Sequence, residues 1–578
     1  MAGPERGGGR AGASMLLAVF GIVGVVALIL GLIGMRKFLD PGRDWFDTWY
    51  YTLQLFVLGS DPLQDPSGPL PPELQYARFL APLFTVGTVV ETGRLLLAGE
   101  LRKLRSRTAR RHAVVCGDTP FAKALAEQLF AGGERVVVVR STPIRAFELR
   151  HRRLLGVSGD ARSPEVLRSA GLRRARYLYI CGDDDQFNHA VSVAAGTDLQ
   201  LLRSPPWIYV QLNRQQTCHL LQARRLGAAG SNRFRLDYFH VDDVAARTLY
   251  RLNPLRRPAP GGPPVRLLIS GDNSFPRVLL VESARYWRAT GGRRDQLEID
   301  LIGTDAGRTL ATLLARFPFL DSVCHIRAHN ELLDTWLPRI TRPARYDRIY
   351  LCHRDEERML DLALESTELW QAVSDAVFVC TYRATALADA FHGGEHNDLL
   401  DEVDRKLRVY PIITRACDAH LIAEDLTERL AMRFHQRYLE TTHGTASPTS
   451  AVGWSQLSES MRNANRAQVQ GIAAKMHAIG CVIAVRNGED GLITERELEQ
   501  LAELEHRRWC DERRSRGWRH DTDRDDRHRR HPDLVAWQDL PEPGREKARD
   551  AVRYMTEMLA DEGFTIVRLH EPIRAATG

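Results

Sequence analysis

No Cys-x-x-Cys pair, no His-Glu-x-x-His and no Gly-x-x-x-x-Gly-Lys-Ser/Thr occurs in these 578 residues. Their absence removes zinc ribbons, thioredoxin-type redox centres, zincin proteases and phosphate-loop NTPases from consideration. The nine cysteines are scattered, and none falls between 38 and 75, so no disulfide staples that stretch. Cys116, Cys181, Cys352 and Cys380 sit in apolar runs and read as small buried hydrophobes. No ordered Ser/His/Asp set appears, so no residue is assigned a catalytic role and no enzyme is expected. A charge of one sign is also missing. Lys and Arg number 79 against 73 Asp and Glu, for a formal net charge of +6. Without a basic stripe or a known module, nucleic acid is not an expected partner.

Apolar content of 44% and charged content of 26% are ordinary for globular protein, and the length calls for several domains. The first conspicuous segment is "MLLAVFGIVGVVALILGLIGM", residues 15–35, which carries no charge. At a rise of about 1.5 Å per residue it spans a hydrocarbon core. A signal peptide is the competing reading, but Arg36 and Lys37 follow directly and no small-residue cleavage site precedes them. A second apolar run, Phe79–Val90, continues past Glu91 and Arg94 into "LLLAGEL". Its alternative reading is a buried soluble helix. The connecting loop carries Asp40, Asp44, Asp47, Asp61, Asp65 and Glu73 against Arg43, whereas Arg102, Lys103, Arg105, Arg107, Arg110 and Arg111 follow the second run. Positive flanks stay inside. Two spans are expected, with both termini cytoplasmic, in a cell inner membrane.

Two spans around "DTWYYTLQLFVLGSDPL" (47–63) resemble the pore unit of the potassium-channel superfamily. The resemblance implies a homotetramer, lipid contacts and a permeant cation. It places a pore helix and filter over 45–63, and an inner-helix gate at Gly87 and Glu91. Family filters read Thr-Val-Gly-Tyr-Gly-Asp, with carbonyl oxygens replacing the ion's water. Here the filter positions are Phe56, Val57, Leu58, Gly59, Ser60 and Asp61. Leu58 and Ser60 stand where the glycines belong, and a left-handed conformation costs an L-residue roughly 1–2 kcal/mol. Potassium selectivity is therefore not expected. A wider non-selective pore and poor conduction both remain open.

From residue 113 the pattern changes. "AVVC", a turn, an amphipathic run and "RVVVV" alternate strand and helix, which implies a parallel sheet with crossover helices. The string "GDARSPEVLRSAGLRRARYLYICGDDDQFNHAVSVAA" closely resembles the nucleotide-binding lobe of regulators of potassium conductance, the RCK or TrkA-N family. The resemblance implies cofactor-binding positions at Gly117, Thr119, Arg140 and Asp160. The glycine fingerprint is depleted, however: of "GDTPFA" only Gly117 is kept, with Ala122 tolerable at the third place. Arg140 occupies the place of the acidic ribose partner. A scaffold lobe is the expectation, and retained dinucleotide binding the alternative. "VRLLISGDNSF" restarts the pattern at 265, and "YICGDDD" is echoed by "YLCHRDE", so a second lobe follows the linker "RRPAPGGPP".

After about 416 helices dominate and the chain repeats. Trp454/Trp537, Leu457/Leu540, Arg462/Arg545, Arg466/Arg549, Val469/Val552, Gly480/Gly563 and Ile483/Ile566 share one offset of 83. "LAELEHRRW", "GW" at 517–518 and "HPDL" at 531–534 resemble the ryanodine-receptor repeat (RyR) domain in its prokaryotic form. The resemblance implies sensing of a small, nucleotide-derived ligand. A cleft between the two halves is expected to receive His435, Tyr438, Trp454 and Arg462 from one copy, and His506, Trp509, Arg513, Trp518 and Trp537 from the other. Trp and Leu at fixed spacing also fit a plain core. Asp521, Asp523 and Asp525 begin like a calcium loop, but Asp526 and Pro532 stand where Gly and Glu are required, so no metal is expected.

The expected fold is multidomain: a disordered 1–14, a two-helix membrane pore unit (15–101), two α/β Rossmann-like RCK lobes (112–255 and 264–415), and an all-α duplicated RyR domain (420–570). The expected function is a ligand-gated, ion-channel-like membrane protein. A non-conducting, membrane-anchored nucleotide sensor is the alternative, and an oxidoreductase using the first lobe is the weakest class.

Overall fold

The computed structural model describes residues 8–39, 43–57, 59, 63, 69–142, 154–199, 202, 205–227, 235–339, 346–383, 406–441, 452–488, 493–525 and 527–569. It divides into two compact units, 1–105 and 106–578.

In the first unit, α1 (Gly8–Phe38), α2 (Trp45–Leu55) and most of α3 (Pro72–Thr108) surround Ala27, Met35, Leu55, Leu74, Ala77 and Ala81. The helix begins at Gly8, ahead of the apolar run. Glycines allow the close approach: a Cβ on Gly34 would lie 2.6 Å from the Leu74 nitrogen, and one on Gly31 2.7 Å from Thr52 Cγ2. Among the described residues one helix is long and apolar enough to cross a membrane, over Gly21–Phe38. The second expected span fails that test. It lies within α3, a 37-residue helix whose charged residues and basic tail keep its mean hydropathy low. The two-helix pore unit thus rests on resemblance alone.

The second unit opens with six parallel strands: β1 (Ala113–Cys116), β2 (Val136–Arg140), β3 (Leu154–Ser158), β4 (Tyr177–Ile180), β5 (Trp207–Gln211) and β6 (Arg235–Phe239). Their order is β3-β2-β1-β4-β5-β6. Helices α4 (Pro120–Ala131), α5 (Pro164–Ser169), α6 (Asp185–Leu199), α7 (Gln215–Leu226) and α8 (Val241–Leu252) connect or follow them. The second lobe repeats the plan with β7 (Val265–Gly271), β8 (Leu297–Ile302), β9 (His325–His329), β10 (Tyr346–Cys352), β11 (Val373–Thr381) and β12 (Leu407–Pro411), in the order β12-β11-β10-β7-β8-β9. Counted from its own first strand, each sheet is doubly wound in the Rossmann order. The helices here are α9 (Phe275–Ala289), α10 (Ala306–Arg316), α11 (Phe319–Val323), α12 (Leu333–Trp336), α13 (Glu356–Glu365), α14 (Thr367–Ala372), α15 (Ile412–Arg415) and α16 (Ala419–Ala423).

The two lobes are not separate beads. Phe121, Leu125, Phe239 and Leu249 of the first share one apolar cluster with Phe275, Trp287, Tyr350 and Ile412 of the second. Polar ties run through it. Tyr410 donates to the Ala245 carbonyl at 2.7 Å, and Arg348 donates to the carbonyls of Asn253 and Pro254 at 2.7 and 2.8 Å. All nine cysteines are buried and unpaired.

The C-terminal module is two copies of helix, 3-10 turn, helix, strand. The first has α17 (Leu426–Thr441), a turn at Trp454–Gln456, α18 (Glu459–Ala478) and β13 (Cys481–Val485). The second has α19 (Glu495–Ser515), a turn at Trp537–Asp539, α20 (Glu542–Asp561) and β16 (Phe564–Arg568). β13 and β16 pair antiparallel, and a small parallel ribbon joins β14 (Arg519–His520) to β15 (Arg530–His531). The expectation of an all-α domain is corrected. "CVIAV" and "FTIVR" are short β-branched runs that find partners only across the repeat, a pairing that local pattern does not reveal. Ala223 and Leu226 of α7 belong to the module's core, so it is built onto the first lobe.

Candidate functional site

The described part of the expected filter continues α2. Phe56 caps that helix at φ −72°, ψ −20° and stacks edge-on against Phe84. The amides of Phe56, Val57 and Gly59 donate to the carbonyls of Leu53, Gln54 and Gln54. Phe56 and Val57 thus keep the helical bonding pattern of α2. Leu58, Ser60 and Asp61 lie outside the described residues. Gly87 stands in the continuous α3, as does the backbone of Glu91, whose side chain is outside the described set.

In the first lobe Gly117 ends β1 at φ +139°, and a Cβ there would fall 2.2 Å from the Cys181 carbonyl oxygen. Only glycine fits. Thr119 stands where a dinucleotide fold needs its second glycine. Its hydroxyl accepts the Ala122 N–H and donates to the Cys181 carbonyl, both at 2.9 Å. One helix-terminal donor that a phosphate would use is thereby taken. Arg140 donates through Nε to Asp118 at 2.8 Å, and Ser141 and Thr142 also donate to that carboxylate. Burial favours the neutral acid, but these bonds outweigh it and hold Asp118 below the usual carboxylate range. With Thr119 in the second glycine's place and Arg140 spent on Asp118, these residues lack the donors and close backbone approach that a dinucleotide needs. Asp160, after β3, is engaged by Arg162 in a two-pronged pair. The second lobe repeats the close approach: a Cβ on Gly271 would lie 2.1 Å from the Cys352 carbonyl oxygen.

In the C-terminal module each half builds its own aromatic set. His435 Nε2 donates to the Val452 carbonyl at 2.7 Å, and its ring lies 6.3 Å from Tyr438 and 6.0 Å from Trp454. His506 Nε2 donates to the Val535 carbonyl at 2.9 Å, with Trp509 and Trp537 each 5.8 Å away. The two sets are of like design, each built within its own half. The cause is local: each histidine anchors the carbonyl just before its own tryptophan turn. Arg462 donates to the Leu457 carbonyl within the first half. Arginines repeat as well: Arg466 joins Glu428 to Glu459, and Arg549 joins Glu499 to Glu542 and Glu546.

The halves differ in one respect. Trp454 follows His435 by 19 positions, and Trp537 follows His506 by 31. The longer loop holds the β14–β15 ribbon and brings His531 to 4.9 Å from Trp509 and 6.3 Å from Trp518. Arg513 lies 4.5 Å from the Trp518 ring and 5.8 Å from Trp509. Burial pushes His531 down to about 4, so it is neutral. In the sequence His531 opens "HPDL", and the difference in loop length between the two halves is the signal that sets it apart. In the same loop Asp521 and Asp525 pair with Arg530 and His528. Among the described residues no cluster suits a metal ion.

The turn after α20 meets the second lobe. Glu562 lies 3.3 Å from Arg285 of α9 and 3.2 Å from Arg429 of α17. Asp561 pairs with Arg288 and Arg433. Burial favours a neutral Glu562, but Arg285, Arg429 and Arg433 together hold it far below the usual range. A Cβ on Gly563 would lie 2.5 Å from the Phe317 ring. The module thus plugs into the second lobe while sharing its core with the first.

Comparison with known proteins fits these parts. Residues 113–230 match the TrkA-N domain family, and 494–568 match the RyR domain family. No curated protein matches the chain. Among solved structures, the GsuK channel protein bound to ADP is similar at 14% identity over 71% of this chain and 96% of its own, with a TM-score of 0.34. The human SLO3 gating ring is similar at 9% identity over 59% of this chain and 85% of its own, with a TM-score of 0.34. The TrkA-N domain of the Escherichia coli inner membrane protein ybaL is similar at 21% identity over 25% of this chain and 98% of its own, with a TM-score of 0.20. The chain carries a TrkA-N domain in its first lobe and a RyR domain in the second half of its C-terminal module.

Proposed function

We propose that this chain is a ligand-gated, channel-like membrane protein. The N-terminal helices form a two-span pore unit in a cell inner membrane, with both termini cytoplasmic. Four copies bring their paired lobes into a gating ring, and the C-terminal module senses a small, nucleotide-derived ligand. The permeant ion is a cation other than a strongly selected potassium. The chain is not an enzyme, and nucleic acid is not its partner. The first lobe serves as scaffold, because Asp118 and Thr119 occupy the phosphate position.

One observation carries this reading: the module is fixed to both lobes at once. Ala223 and Leu226 of the first lobe enter its core, and Arg285 and Arg288 of the second grip its last helical turn. A ligand that reshapes the module moves both lobes, which is what gating requires. The apolar face of α3 supports a second span despite its charges. Tyr76, Phe79, Leu83, Val86 and Val90 are exposed at helical spacing, a cost in water and an advantage in lipid.

The helical bonding of Phe56 and Val57 favours a second reading, a membrane-anchored sensor that does not conduct. Planar-bilayer recordings of the purified full chain, with a panel of nucleotides, separate the two. Ligand-dependent unitary currents support gating. Ligand binding with no current supports the sensor, and neither binding nor current overturns both.

A further inference from the structure

Two buried carboxyl groups meet where the first lobe joins the C-terminal module. Asp237 of β6 accepts the Leu426 N–H at 3.2 Å. Asp425, just before α17, accepts the Glu428 N–H at 2.7 Å. Each is 8% exposed. Both line one cavity of about 10 Å³, room for about one water. Among the described residues neither makes an ion pair, which is unusual for buried carboxylates.

The surrounding charges are mostly engaged elsewhere. Arg429 is held by Glu562, Arg247 of α8 by Glu424, and Glu428 by Arg466. Asp243 of α8 faces His219, and His240 donates no ion pair to either carboxylate. Arg225 of α7 favours the charge on both acids, and Arg429 favours it on Asp237 as well. Burial nevertheless raises Asp237, and burial followed by the Asp237 charge raises Asp425 to about 7.

We propose that Asp237 and Asp425 share one proton and form a proton-operated latch between the first lobe and the sensing module. With the proton present, the carboxyl pair closes β6 onto the first turn of α17. When the proton leaves to solvent, two like charges remain around one water-sized cavity and push that turn away. The sign follows from linkage. A folded-state value above the ordinary aspartate value favours the closed junction at low pH, and that contribution is lost as pH rises toward about 7.

The test is hydrogen exchange on the full-length chain in detergent micelles at pH 6 and pH 8, corrected for the intrinsic pH dependence of exchange. Peptides covering 235–239 and 424–430 are expected to exchange about tenfold faster at pH 8, a loss of about 1.4 kcal/mol of protection. Asp237→Asn and Asp425→Asn keep an oxygen acceptor for the α17 amides and remove the shared charge. Each single variant is expected to shrink the pH effect, and the double variant to bring it below twofold. Asp425→Ser retains a capping oxygen and serves if an asparagine variant fails to fold. No excess exchange at pH 8 in the parent, or a full pH effect in the neutral variants, overturns the latch.

Discussion

Ile483 and Ile566 lie directly opposite each other in the β13–β16 ladder, and they are the same position of the 83-residue repeat. Equivalent residues can pair with one another only on an axis of symmetry. The module therefore has an internal twofold axis, and it passes between these two side chains. Each five-residue strand would be an open edge if its half stood alone. The halves close each other's edge, and both isoleucines are buried there.

Removing either side chain should cost the same. Ile483→Ala and Ile566→Ala are each expected to destabilise the module by about 2–4 kcal/mol. Because the two touch, the double variant should cost less than the sum. Urea-dependent hydrogen exchange of the 481–485 and 564–568 peptides in the full chain measures this. A large loss in one variant and none in the other would contradict the twofold arrangement.

The halves are also joined by a buried ion pair. Lys475 of α18 lies 2.6 Å from Glu505 of α19, and Arg508 adds a second contact at 2.7 Å. Burial favours a neutral Glu505, but Lys475 and Arg508 outweigh it and bring the group down to about 2. The pair's contribution is therefore present above the ordinary glutamate value and is lost as pH falls from about 4.5 toward 2. The linked stability is about 3 kcal/mol. Glu505→Gln leaves Lys475 buried and unpaired, and is expected to cost about 3–5 kcal/mol at pH 7. Thermal unfolding at pH 7 and pH 2.5 reads both effects: the pH difference in the variant should be smaller than in the parent by roughly the linked amount.

The sequence exposes some of this architecture and hides the rest for physical reasons. The valines of "AVVC" and "RVVVV" are buried on both faces, and their alternation with a helical run reads as a parallel sheet. The offset of 83 announces the duplication. It does not announce that "CVIAV" pairs with "FTIVR", because that contact joins segments 80 residues apart. Nor does local pattern show that Phe121 and Phe275, which open the same helix in the two lobes, end in one core. At the first-lobe site the missing glycines are visible in sequence. The reason Arg140 is no stand-in for a ribose partner, its bond to Asp118, appears only when β1 and β2 lie side by side.

That bond makes the scaffold reading testable. Isothermal titration of the full chain with NAD is expected to show no binding below about 1 mM. Arg140→Ala leaves the Asp118 carboxylate in place and should not create binding. Gly117→Ala places a methyl against the Cys181 carbonyl and should unfold the lobe. Micromolar NAD affinity in the parent would overturn the scaffold reading.

Topology is open to direct labelling. A cysteine placed at Ser67 in a background lacking reactive thiols is expected to react with a membrane-impermeant maleimide from outside the cell only. The nine native cysteines are buried and should stay silent. Labelling of the Ser67 position from the cytoplasmic side alone would remove the second span and leave α1 as a single anchor.

The last prediction concerns where the ligand sits. Both halves hold a histidine against a backbone carbonyl, so those histidines are spent on structure and do not mark the site. Only the second half has the longer loop, and only there do Trp509, Trp518, His531 and Arg513 gather. Aromatic faces suit a nucleobase, and a guanidinium stacked between two indoles can turn its fork toward a phosphate. The residue in the place of Arg513 in the first copy is Thr442, which has neither property. Trp509→Ala and Arg513→Ala should therefore each weaken nucleotide binding at least tenfold, about 1.4 kcal/mol. Tyr438→Ala and Arg462→Ala should change it less than threefold. Calorimetry of the full chain against nucleotides and cyclic nucleotides decides the matter. Equal losses from both halves would support a shared cleft, and no loss from Trp509 or Arg513 would make their stacking purely structural.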